Sequence, residues 1–430
     1  MRLAFLIVRK NYYRLLGPVV EEALARGHAV ECWHDVSAPL AWEKGAQSPG
    51  SPHDAPSFRA GAPAVKAFGG SADLAERWRV DPPDAVVSID APDPEVRAAA
   101  KVRWVWAQYG AEVLYSYGTA GERTQRGLFD ADAVALYSDH WRTRIEERFP
   151  DFGLRASLRE KASAVGAAEL DVLQRVDPAE VRRRFGLPAG RPVVLYLPFP
   201  LGSNVQAKWL RNVHAPPTRI EQMVRTAVAG PREYWADARR GRNDWRVVEA
   251  MRVFCDANGA LLVMKARRKD PVPRYAARLA DRVLYDPSHH PPTILELLSA
   301  AALCVHFYST AVLEAAFASV PSLCLAPRAA ELGPASFGFD FVHNGEAGGI
   351  YNAPGVAYWR PLGEAFDALA GWRLADFPLD PAARRSYVER FLGFGDGRSS
   401  GRLLDLVERL ADGPDAALAG QDAPAAGGRA

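Results

Sequence analysis

Residues 294–327, ILELLSAAALCVHFYSTAVLEAAFASVPSLCLAP, constrain the fold more than any other stretch of the chain. A helical opening leads into the apolar run 302–305, which has strand character, and then into the small polar turn Tyr308-Ser309-Thr310. Val312, Leu313, Ala316 and Phe317 follow at helical spacing, and Val320-Pro321 ends that segment before a second apolar run at 322–325. The pattern is strand, polar turn, helix, strand, with hydroxyl side chains where the helix begins. First-turn amides have no partner inside a helix, and the macrodipole adds positive character there. Tyr308, Ser309 and Thr310 are therefore read as a phosphate-facing turn, and Glu314, about one turn on, as a carboxylate for ribose hydroxyls. An ordinary capped helix packed on a sheet would carry the same signature.

The flanking sequence repeats this alternation. Apolar runs at 3–8, 29–33, 84–89, 103–107, 133–137 and 163–167 predict a first parallel sheet, with an amphipathic helix at 16–26. Runs at 192–197, 260–264 and 282–285 join those at 302–305 and 322–325 in a second sheet. Between the two groups, Asp177-Pro178 and Gly186 bracket a short helix, with proline in its first turn and glycine past its end. At 430 residues the chain exceeds one ordinary core, and the reading is a first domain over 1–175 and a second over 176–410. The stretch 37–68, rich in Pro, Gly, Ala and Ser, reads as a long loop, 339–358 as a region of low regularity, and 411–430 as a disordered tail.

Several classes of function are disfavoured by composition. A net charge of +2 gives no global field for nucleic acid, and no apolar run is long enough to span a bilayer. The amino terminus lacks the pattern of a secretory leader, so a cytoplasmic protein is expected. Cys32, Cys255, Cys304 and Cys324 have no paired spacing and read as buried thiols, and the sequence offers no metal constellation and no GxGxxG fingerprint.

Ligands of open parallel sheets bind beyond the carboxyl ends of the strands, so polar residues there are the candidates for chemistry. In the first domain these are Asp90, Asp139 and His140, each suited to take a proton and each equally suited to a turn, a helix cap or a helix surface. In the second domain Lys265, Arg267 and Arg268 crowd one strand end, where they could neutralise a diphosphate. His289, beside His290 in a loop, reads as a nucleotide contact or as plain loop. The insertion at 204–246 interleaves nine Lys and Arg with Trp209, Tyr234, Trp235 and Trp245. It reads either as a solvated helical insertion or as a lid facing the acceptor or a membrane surface.

The order of these pieces resembles the GT-B architecture, two Rossmann-like domains facing across a cleft. Within it the chain is most similar to the CDP-glycerol glycerophosphotransferase-like family. The resemblance is carried by WAQYG at 106–110, YSDHWRTRIEERF at 137–149, VGAAELDVL at 165–173, RRFGLPAGRPVVLYLPF at 183–199, HFYSTAVLEAAFASVP at 306–321 and FGDGRSSGRLLDLVERL at 394–410. Departures are informative. The family's Trp-His-Gly is Ala107-Gln108-Tyr109-Gly110 here, its Lys-Leu-His-Pro begins Lys265-Ala266-Arg267-Arg268, and its Thr-Asp-Tyr-Ser-Ser is His306-Phe307-Tyr308-Ser309-Thr310. The lysine, the tyrosine and the hydroxyl pair survive, whereas the histidines and an aspartate do not.

The resemblance implies a metal-independent, nucleotide-sugar-dependent glycosyltransferase without a bound cofactor, serving a glycan, lipid-linked or polymer acceptor of the cell envelope. Residues 204–246 would touch the inner face of the membrane, and Lys265, Arg267, Arg268, His289, Tyr308, Ser309, Thr310 and Glu314 would hold the donor. Phosphotransfer from CDP-glycerol or CDP-ribitol, and a binding module without turnover, are the alternatives.

Overall fold

A computed structural model describes residues 1–37, 51–110, 130–148, 155–198, 244–266, 272, 274–286, 289–326, 347–361, 364–365 and 368–413. The chain forms two compact units. The first takes Met1–Gln174, Ser288–Pro291 and Arg390–Ala430, and the second takes Arg175–Pro287 and Pro292–Glu389.

The first unit is a seven-stranded sheet in the order β3-β2-β1-β4-β5-β6-β7, with every pair parallel. Its strands are β1 (Arg2–Ile7), β2 (Ala29–Asp35), β3 (Ala64–Phe68), β4 (Ala85–Ser88), β5 (Arg103–Ala107), β6 (Ala133–Leu136) and β7 (Ala162–Ala164). The central strands are buried on both faces, as near-continuous Val, Ala and Leu runs require. Trp78 stands edge-on between Trp33 and Trp104, at 5.7 and 6.0 Å, and fills one face. The last helix, Ser399–Asp412, packs over β4, β5 and β6 with Leu403, Leu404 and Val407 buried. Its first amides are held by Asp171, whose carboxylate accepts Ser399 N–H at 3.1 Å and Ser400 N–H at 2.6 Å. Gly166, at φ +91°, makes room, since a Cβ there would lie 2.2 Å from Ser399 Oγ.

The second unit is a six-stranded parallel sheet in the order β10-β9-β8-β11-β12-β13. Its strands are β8 (Val193–Leu197), β9 (Leu261–Lys265), β10 (Arg282–Leu284), β11 (Leu303–His306), β12 (Ser322–Ala326) and β13 (Ala357–Pro361). Val194, Leu262, Leu303 and Leu323 meet Met251, Phe254 and Phe377 in its core. Entry to this unit is capped as the sequence predicts: Asp177 accepts Ala179 N–H at 2.9 Å, and Gly186 closes helix Pro178–Phe185 at φ +63°.

Both sheets carry an edge strand that the sequence reading assigns to irregular chain. β3 lies at the end of the expected loop 37–68, and β13 runs out of the region 339–358. Each is a short edge strand with half-buried polar positions, and β13 ends in a proline that only an edge tolerates. Residues 411 and 412, expected in the tail, complete the last helix, and the rest of the tail lies outside the described residues. All four cysteines are buried and free of disulfides. No helix among the described residues is long and apolar enough to cross a membrane.

Candidate functional site

In the second sheet the chain starts at β8, winds outward through β9 and β10, then crosses back to β11. Strand order therefore reverses between β8 and β11, the kind of place where open α/β sheets take ligands. The registers put the relevant residues on one row. Leu284 pairs Lys265, His306 pairs Leu197 of β8, and Cys324 pairs both His306 and Trp359. Lys265 and His306 end strands that flank β8, so their backbones stand about 10 Å apart at two strand spacings.

The turn after β11 is held from several sides. His306 is fully buried, and its Nδ1 accepts Ser309 N–H at 3.3 Å, which assigns the proton to Nε2. Burial pushes the imidazole down to about 3, so it is neutral. Tyr308 adopts φ +39°, a left-handed backbone unusual for a tyrosine. Its N–H points to Cys324 Sγ at 3.4 Å, its hydroxyl accepts Trp359 Nε1–H at 3.1 Å, and its ring meets Tyr351 at 5.2 Å. Ser309 Oγ accepts Ala311 N–H at 3.2 Å, while Thr310 makes no side-chain cap. The amides of Val312 and Leu313 go to Ser309 O and Thr310 O. Most amides at this entrance are thus engaged within the turn.

Glu314 follows on helix Ala311–Phe317 and is 6% exposed. At the far end of that helix, Arg384 donates to Ala316 O at 2.7 Å and Phe317 O at 2.6 Å. Lys265 is half-buried with its Nζ 2.6 Å from Asp286 Oδ2, so a carboxylate from the strand end beside it already matches its charge. Arg267 and Arg268 lie outside the described residues, as does the insertion from 204 to 243.

His289 belongs to the segment Ser288–Pro291 and so to the first unit. The adjacent His290 is buried there, its ring 5.2 Å from Phe58 and its Nε2 3.5 Å from Glu21 Oε2. Gly17 permits this approach, because a Cβ at that position would come 2.4 Å from His290 Nδ1.

The first sheet reverses order between β1 and β4. Asp90, just after β4, stands at that point and accepts the Tyr12 hydroxyl at 3.0 Å. Surrounding protein desolvates its carboxyl and raises it, the Tyr12 bond pulls it back, and the residue keeps an open face to water. Asp139 and His140 follow β6 instead. Asp139 is exposed and 3.0 Å from Arg142, whereas the His140 ring packs edge-on to Phe391 at 5.0 Å.

Tyr12, Tyr137, Glu169 and Asp286, which the sequence reading does not single out, belong to these two sheet edges. Tyr137 and Glu169 sit in the motifs 137–149 and 165–173, but no local pattern marks their side chains as partners across 32 positions.

A scan against family models finds no match, and neither does a comparison with curated proteins. Solved structures do match over nearly the whole chain. The wall teichoic acid polymerase TagF aligns at TM-score 0.53 and 12% identity, covering 96% of this chain and 89% of that one. UDP-GlcNAc 2-epimerase from Neisseria meningitidis bound to UDP-GlcNAc aligns at TM-score 0.52 and 12% identity, covering 95% and 100%. The S. aureus MnaA–UDP co-structure aligns at TM-score 0.50 and 14% identity, covering 95% and 98%. Identities this low speak for architecture rather than activity. Two doubly wound parallel sheets that align along their full length with these proteins give this chain the GT-B fold.

Proposed function

We propose that the chain is a transferase using a nucleotide-diphosphate donor and moving a glycosyl group to a glycan, lipid-linked or polymer acceptor. One observation carries the reading: Lys265, the turn Tyr308-Ser309-Thr310 and the buried Glu314 converge on the carboxyl edge of the second sheet, around its switch point. A uracil-nucleotide complex and a TagF variant soaked with CDPG share the fold.

In the transfer, the acceptor oxygen bonds to the sugar carbon as the bond from that carbon to the diphosphate oxygen breaks, and the electron pair leaves with the diphosphate. Charge accumulating there is stabilised by preorganised cations. Lys265 supplies one by exchanging Asp286 for phosphate, with Arg267 and Arg268 nearby in sequence, and Glu314 holds the ribose. Tyr308 positions Ser309 and Thr310, and His306 fixes the turn behind them. We assign proton acceptance from the acceptor to Asp90, which alone of the three sequence candidates stands at a switch point.

Calorimetry and thermal shift against UDP-, GDP-, CDP- and TDP-linked donors test this. Lys265→Ala and Glu314→Ala should each weaken binding of the preferred donor by about tenfold or more, roughly 1.4 kcal/mol. Unchanged affinity in both variants removes this edge as the donor site.

The likeness to TagF favours a second reading, phosphotransfer from a CDP-activated polyol. That reaction releases CMP, whereas glycosyl transfer from a nucleotide-diphosphate donor releases a nucleoside diphosphate, so chromatography of the product separates them. The engaged amides and the Lys265–Asp286 pair favour a third, a binding module without turnover. Stabilisation by a polymer and by no nucleotide would select it.

A further inference from the structure

Glu169 opens the tight helical turn Ala168–Arg175 that follows β7. The Tyr137 hydroxyl donates to its Oε1 and accepts Gly110 N–H at 2.7 Å. Its Oε2 has no hydrogen-bond partner among the described residues, and Glu169 is only 8% exposed. Burial pushes the carboxyl up to about 7, while the Tyr137 hydroxyl, the residue's own backbone N–H and Arg14 pull it back and Asp171 adds to the rise. A buried polar atom left without a partner is costly to the fold. An amide would still accept from Tyr137 without carrying a charge, so packing gives no reason for an acid here.

The surroundings indicate what this buried, unpartnered oxygen would meet. The groups whose charge acts on the Tyr137–Glu169 pair are Arg14 from helix Tyr13–Ala25, Tyr109 from the end of β5 and Asp171 from the turn that carries Glu169. The Tyr109 ring lies 6.2 Å from that of Tyr12, and Tyr12 in turn donates to Asp90. These side chains follow β1, β4, β5, β6 and β7 and so gather at one edge of the sheet, the edge at which such sheets take ligands. Charge of both signs is interleaved there, which gives little pull on an anion. Flat aromatic faces beside carboxyl acceptors suit a ligand with apolar C–H faces and many hydroxyls.

We propose that Glu169 Oε2 is the hydrogen-bond acceptor of a site on the first unit for a neutral sugar or polyol, with Tyr109 and Tyr12 as its aromatic wall and Asp90 as its second carboxyl. The site deepens the reading above by naming the chemistry of the acceptor and the residue that meets it.

The test uses the full chain labelled with 13C at glutamate Cδ, the Glu169 resonance being identified by its loss in Glu169→Gln. A pH titration is run alone and with glycerol, sorbitol or methyl glucoside as probes. A hydroxyl donating to Oε2 favours the ionised form, so the midpoint should fall when a probe is added. Saturation transfer to the probe should be seen with the wild type and drop in Glu169→Gln and in Tyr109→Ala. A midpoint that no probe moves, or equal transfer in wild type and variants, overturns the proposal, as does a response to inorganic phosphate in place of the polyols. Should Glu169→Gln not fold, the comparison with Tyr109→Ala decides. No nucleotide is present, so failure here leaves the donor reading standing, and failure of every donor to bind leaves this one standing.

Discussion

Burial drives His306 and Glu169 in opposite chemical directions toward the same uncharged state. A histidine at the end of a fully buried strand loses its proton, and its Nδ1 lone pair becomes available to anchor Ser309 N–H. A glutamate beneath a tyrosine hydroxyl gains one. The sign of the second effect is measurable. The folded carboxyl titrates at about 7 rather than at the ordinary 4.5, so the folded state holds that proton more tightly than the unfolded chain does. Stability from this group is therefore present at low pH and is lost as pH rises through the window between those values. Glu169→Gln should leave the melting temperature near pH 5 almost unchanged and raise stability at pH 8 by about 2–3 kcal/mol, as read by thermal or urea unfolding at both pH values. Equal effects at the two pH values would show that the Glu169 carboxyl holds its proton no more tightly in the folded protein than in the unfolded chain.

At the scale of elements, the helix Ala311–Phe317 is short and fully buried, and its two ends are stabilised differently. Ser309 serves the entrance, and Arg384 binds two carbonyl oxygens at the exit. Bonds from a guanidinium to buried carbonyls are among the stronger contributions available, so Arg384→Ala should lower stability by about 1–3 kcal/mol in urea unfolding. If Glu314 serves a donor, the same change should also weaken nucleotide binding, because it loosens the helix that carries the carboxylate. Most of these elements are legible in the sequence, since buried parallel strands are written as unbroken apolar runs. β3 and β13 are not, because AVKAF and AYWRP are edge strands whose polar and proline positions read as loop. The Tyr308 turn is legible as hydroxyls before a helix. What stays hidden is that backbone and side-chain partners inside the turn already occupy its amides, and that Asp286, 21 positions on, balances Lys265. Glu169 is hidden for the same reason: its partner lies 32 residues away, and nothing in the local pattern distinguishes a buried acid from a surface one.

At the scale of the whole molecule, the first unit depends on chain from both ends. Helix Ser399–Asp412 buries Leu403, Leu404, Leu406 and Val407 against it, and full burial of four such side chains is worth roughly 6–12 kcal/mol. That is comparable with the entire stability of an ordinary domain. A fragment ending at Gln174 should therefore fail to give a cooperative melting transition, whereas adding the 390–413 segment as a separate peptide should restore one. Circular dichroism of the fragment with and without the peptide checks this, and a cooperatively folded fragment alone would refute it.

The docking of that last helix also orders events during synthesis. While the ribosome is still translating the second unit, the earlier sheet has its strands but not this helix over them, and β4 to β6 lack the apolar cover that it provides. Completion of the first unit is thereby tied to a segment made long after its last strand, β7.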